Sequence, residues 1–135
     1  MSTARYSEKP DVLTVGETIV IIRDDIEQIE VPLPEEEGGG SETMWQCEET
    51  RLSHSEYEGL QKGQWEGPWT AATHKQFRQA QHDRTLGVYD LARRKAKTDD
   101  RWNAYIDALD AWNEVVSSLA ATFSTDVPDL PAQPE

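Results

Sequence analysis

The stretch "RWNAYIDALDAWNEVVSSLAATF", residues 101–123, decides how this chain folds. Its large apolar side chains are Trp102, Tyr105, Leu109, Trp112, Val116, Leu119 and Phe123, separated alternately by three and four residues. That alternation keeps them on one face of an α-helix and matches the a and d places of successive heptads. A helix packed into a single-chain core usually shows a broader stripe, whereas here only Ile106 and Val115 widen it, on one side. At ~1.5 Å per residue the seam is on the order of 30 Å long. Two tryptophans and a tyrosine are large for a tight parallel dimer, which favours Ile, Val and Leu. Two readings follow: a helical hairpin packed on its own chain, or a hairpin whose seam also faces a partner.

The hairpin's other arm is expected over residues 73–97, its helical pattern starting from Thr70 or Thr73. There Phe77, Ala80, Arg84, Val88 and Leu91 recur at helical spacing, with Arg84 and Gly87 interrupting the stripe. "THKQ" at Thr73 is a candidate capping box. "TDDRW" at 98–102 signals a new start, with Thr98 as cap and two aspartates in the first turn. No Gly or Pro enforces that break, so one long helix from Thr73 to about Ala121 is the alternative. Before this region, Ser53 and Glu56 form a capping box for a short helix carrying Tyr57 and Leu60. "KGQWEGPW" (62–69) is then a loop with two indoles, Trp65 and Trp69, which either fold back over the helices or anchor a partner. The ending "STDVPDLPAQPE" reads as a Pro-rich, extended tail from about residue 124, ordered only against something else.

The N-terminal part has a different grammar. Residues 1–10 read as a polar, flexible lead. "TIVII" (18–22) reads as a buried strand and "IEQIEV" (26–31) as an alternating one, with a tight turn at Asp24-Asp25 and a short strand at Val12–Val15 before Gly16. "PEEEGGGSE" (34–42) is an acidic, Gly-rich linker or exposed loop. "TMWQCEETRLS" (43–53) is a further candidate strand entered through Trp45. The expectation is an α+β chain. A small β-hairpin or meander occupies residues 1–34, a Gly-rich hinge 35–42, and a mainly helical C-terminal domain 43–135.

Composition narrows the function. The net charge is −13, with 5 basic and 16 acidic side chains in residues 1–70 against 8 and 10 in residues 71–135. Such a surface disfavours nucleic acid and anionic membranes, which need cations to displace counterions. The one basic run, "RRKAK" at Arg93–Lys97, fits the negative end of a helix better than a phosphate-binding patch. There is no long apolar run and no leader-like segment, so cytoplasmic synthesis is expected.

Catalytic chemistry is thin. His74 and His82 stand eight apart, too far for one ion on one helix face, and His54 lies in a cap. Cys47 is alone and lacks a basic neighbour in the sequence. The Gly run has no following Lys and is ringed by carboxylates, which repel phosphate. No enzyme, cofactor or metal is expected.

"RWNAYIDALDAWNE", followed by "VPDLPAQPE", resembles the C-terminal region of bacteriophage tail-fibre assembly proteins, the tail assembly chaperone group. The matching positions are Trp102, Tyr105, Ala108, Leu109, Pro128, Pro131 and Pro134, and the resemblance spans roughly the last 40 of the 135 residues. It implies a non-enzymatic chaperone working in the host cytoplasm, on a tail fibre or another tail protein. The partner surface would be Trp102, Tyr105, Leu109, Trp112, Val116 and Leu119, with Trp65 and Trp69. The alternatives are a permanent part of the virion tail, such as an adaptor or fibre-base protein built as a homo-oligomer, and an acidic nucleic-acid mimic.

Overall fold

The computed structural model describes residues 1–135. The chain is α+β and divides into two compact units, Met1–Glu58 and Gly59–Glu135. The first holds an antiparallel sheet of β1 (Ser2–Tyr6), β2 (Leu13–Val15), β3 (Val20–Pro32) and β4 (Ser41–Leu52), in the order β1-β4-β3-β2. A short helix α1 (His54–Gln61) crosses the junction. The second unit holds α2 (Ala71–Asp83), α3 (Leu86–Ala96) and α4 (Arg101–Ser118).

Several N-terminal expectations are corrected. Residues 2–6 are an edge strand, not a loose lead, with Ser2 opposite Glu49 and Tyr6 opposite Trp45. The two strands foreseen at 18–22 and 26–31 are one strand, β3. Asp24-Asp25 makes a bulge, with Asp24 opposite Glu48 and Glu27 opposite Gln46, and Asp25 takes φ 53°. A short polar side chain tolerates that left-handed conformation, so two aspartates can bulge a strand as readily as reverse it. Residues 43–52 belong to the sheet rather than to the helical domain. Of the linker and exposed-loop readings for the acidic Gly-rich segment, the loop is observed, in the β3–β4 hairpin: Pro32 pairs with Ser41, and Gly38, Gly39 and Gly40 all have positive φ.

One polar cluster ties all four strands. Arg23 on β3 donates Nε–H to Glu49 on β4 at 2.8 Å, and both side chains are buried. Its other nitrogens reach Thr14 on β2, the Asp11 carbonyl, and the Tyr6 hydroxyl of β1. Tyr6 in turn donates to Glu49, and Arg51 adds a bond at 3.2 Å. The β1–β2 connection must cross β4 and β3, and Asp11 with Lys9, whose ammonium sits 5.5 Å over the Trp45 ring, shows which face it crosses. Burial alone would raise the Glu49 carboxyl, but bonds from Tyr6, Arg23 and Arg51 outweigh it and hold it below the ordinary carboxylate range. Its contribution to stability is therefore complete above the ordinary carboxyl value and is lost as pH falls through the folded value.

The helical unit also departs from the forecast. The 73–97 arm is two helices broken at Arg84-Thr85, where the buried Thr85 hydroxyl donates to the His82 carbonyl at 2.7 Å. Threonine competes with the helix ladder in this way without Gly or Pro. α4 returns against α3, so the long-helix alternative is excluded. Thr98 is not its cap: Asp100 holds that position without a side-chain bond, and Asp99 accepts from the Arg101 amide. Thr70, not Thr73, caps α2, and the two form a reciprocal box. The Ser53/Glu56 box of α1 stands as expected.

Removing one partner of the sheet's buried pair leaves the other charge buried, at a typical cost of about 3–5 kcal/mol. Arg23→Ala should destabilise the sheet unit by about that amount, measured by hydrogen exchange of β3 and β4 amides. Arg23→Met with Glu49→Leu together should recover most of the loss.

Candidate functional site

The seam is interior. Trp102, Tyr105, Leu109, Trp112 and Val116 are all buried, and Leu119 is half-buried. Trp102, Tyr105 and Leu109 form one cluster with Ala92 of α3, flanked by Val88, Tyr89, Leu91 and Leu130. Trp102 and Tyr105 meet edge to face, ring centroids 5.5 Å apart. Each such residue contributes about 1.5–3 kcal/mol by burial, which is why the chain covers them itself. In the chain by itself these five positions, read from the sequence as partner-binding, are covered by the chain's own helices and tail.

The cover is α3 together with the C-terminal tail. Trp112 donates its indole N–H to the Pro128 carbonyl at 2.8 Å, and Leu130 lies against the Trp102–Tyr105–Leu109 cluster. Trp65 and Trp69 likewise turn inward. Trp65 lies over Gly67, where a Cβ would come within 2.1 Å of its ring, and its N–H points to the Pro68 carbonyl at 3.4 Å. Trp69 packs edge-on to His74 and Phe77. Trp69 thus folds back on α2, whereas Trp65 stacks within its own loop, and both indoles are half-buried.

Two polar residues organise this unit, and nothing in their sequence spacing singles them out. Asn113 on α4 accepts from His82 Nδ1–H at 2.7 Å and donates to the Tyr89 hydroxyl, the Leu109 carbonyl and Thr85, tying α4 to α2 and α3. His74 is fully buried, donates Nε2–H to the Ser124 carbonyl at 2.7 Å, and accepts at Nδ1 from Arg78 at 2.9 Å. An arginine can only donate and a carbonyl only accept, so the imidazole is neutral with its proton on Nε2. Burial lowers its pKa, the Ser124 carbonyl opposes this, and Arg78 lowers it further. Gly63 permits the close approach beside it: φ is 79°, and a Cβ would meet Phe77 at 3.1 Å and Thr125 at 3.3 Å.

The sheet unit carries the unpaired feature. β2 covers β3 only through Leu13–Val15 opposite Ile22–Val20, so β3 beyond Arg23 has β4 on one side and no strand on the other. Residues 24–48, which make up this ribbon and its loop, contain nine carboxylates and no Lys or Arg. Ser41 and Thr43 brace Glu30 from across the hairpin, at 3.0 and 2.7 Å. Cys47, at the bulge, is buried, and burial with Glu49 nearby pushes its thiol pKa up, which favours an inert packing role.

No group of His, Cys, Asp and Glu side chains is arranged to hold a metal ion, and no helix is long and apolar enough to cross a membrane. No family model, curated protein or solved structure matches the chain.

His74 makes the helical unit acid-sensitive. Its folded pKa lies below the ordinary histidine value near ~6.5, so its stabilisation is complete above that pH and is lost as pH falls toward the folded value. The thermal stability of the helices should fall from pH 7 to 5, and His74→Gln should flatten that part of the profile.

Proposed function

We propose that this chain is a non-enzymatic assembly chaperone for a bacteriophage tail fibre, acting in the host cytoplasm. The observation that carries this reading is the acidic β3–β4 ribbon, where β3 has no neighbouring strand on its outer side from Asp25 to Pro32. An unassembled fibre subunit offers unpaired strand edges and apolar surface. Adding such an edge to β3 satisfies backbone groups on both chains, while the carboxylates keep the complex dispersed in water. The resemblance supplies the identity of the partner. Its two halves lie together here, since Leu130 beside Pro131 packs on Trp102, Tyr105 and Leu109.

In this reading the fibre docks on the ribbon, while the helix seam stays covered by its own chain. Co-expression with the tail-fibre protein of the same genome tests it. Wild type should raise the soluble fibre yield several-fold, and Glu27→Lys with Glu42→Lys, both exposed, should abolish the gain while leaving the circular dichroism spectrum unchanged. Equal rescue by the folded variant would refute ribbon docking. Mass spectrometry of purified particles then separates a transient chaperone, absent from them, from a permanent tail part.

One observation favours a second reading. The carboxylates sit on an ordered hairpin rather than a loose linker, which suits a nucleic-acid mimic better than the sequence suggested. Capture of a host DNA-binding protein that falls away steeply with salt would support that reading.

A further inference from the structure

The chain doubles back at Phe123, between the closing 3-10 turn Leu119–Ala121 and the tail Ser124–Glu135. Phe123 stands at φ 52°, a left-handed conformation that crowds the Cβ of any residue but glycine and that Asn and Asp tolerate best. Its ring touches His74 at 5.5 Å between centroids yet is still 39% exposed, so burial offsets the strain only in part.

Beyond the turn, the tail has no helix or strand and a single internal backbone bond, from the Val127 amide to the Thr125 carbonyl. Three anchors hold it. The Ser124 carbonyl accepts from His74, the Pro128 carbonyl accepts from Trp112, and Leu130 packs on the Trp102–Tyr105–Leu109 cluster. All three are points on an extended segment, and the same segment from another copy satisfies each equally.

We propose that the tail Ser124–Glu135 exchanges between two copies of the chain, each tail lying on the Trp102–Trp112 seam of the other. Exchange keeps every anchor and replaces the left-handed turn at Phe123 by an extended hinge. A short hinge under strain is the feature that turns such an element outward. Pro128, Pro131 and Pro134 keep the released tail extended, so docking in trans costs it little conformational freedom. Charge offers little opposition, because residues 59–135 carry 9 basic and 11 acidic side chains, and most of the −13 lies in residues 1–58. Since each copy gives and receives the same segment, the pair is two-fold and closed. This inference stands independently of the fibre reading.

Sedimentation of the full-length chain over a wide concentration range tests it. Phe123→Pro holds φ near about −65° and forbids the turn, and should tighten the dimer by about tenfold or more. Phe123→Asn accepts the turn and should weaken the dimer by about tenfold. In an equal mixture of isotope-labelled and unlabelled chain, filtered NOEs from Leu130 methyls to the Tyr105 ring should cross between copies. A monomeric Phe123→Pro with a solvent-exposed Trp112 indole would overturn the proposal, as would NOEs confined within one copy at every concentration.

Discussion

A helix face carrying Trp102, Tyr105, Leu109, Trp112 and Val116 cannot stay in water, and the helical unit is arranged around covering it. α3 supplies one wall through Ala92, Val88 and Leu91. The tail supplies another through Pro128 and Leu130. The tail has no repeating backbone bonds of its own, so its order comes from the seam, just as the seam's dryness depends on the tail. His74, Trp69 and Phe77 then close the end where the tail begins. Asn113 meets the remaining polar demand by bonding groups on both neighbouring helices.

The sheet unit solves a different problem. A short strand at each edge and a long hairpin between them give few apolar pairs, and an arginine sits inside. Arg23 is tolerable because residues from the other three strands, with the Asp11 carbonyl of the connection before β2, satisfy its guanidinium. That cluster fixes the registration of the proximal half of β3 and β4. The distal half of β3 runs on beyond the cover of β2, and past Trp45 the hairpin leaves β1 too and ends as a two-stranded ribbon around the acidic loop. Rigid base and uncovered arm are the two ingredients of a strand-addition surface.

Much of the helical half was legible because periodicity reports directly on a buried face. α4, the seam residues, the Ser53/Glu56 cap and the polar C-terminus of α3 all follow from spacing and charge. Periodicity does not say whose surface covers that face, and here the answer lay in a tail that looks featureless alone. Strand β1 was hidden for a similar reason: "STARY" has little apolar alternation, and its pairing rests on partners such as Glu49, 43 residues beyond Tyr6. Asp24-Asp25 misled because the same left-handed tolerance serves a turn and a bulge. The ribbon's composition was plain in the sequence, whereas its open edge depends on β2 being only three residues long.

The most direct test of this division of labour is hydrogen exchange on the chain, free and with the fibre protein proposed as its partner. An interior seam and a docking ribbon predict new protection over β3 from Asp25 to Pro32, with the amides of α4 unchanged. Protection gained across Trp102–Val116 with β3 unaffected would contradict it.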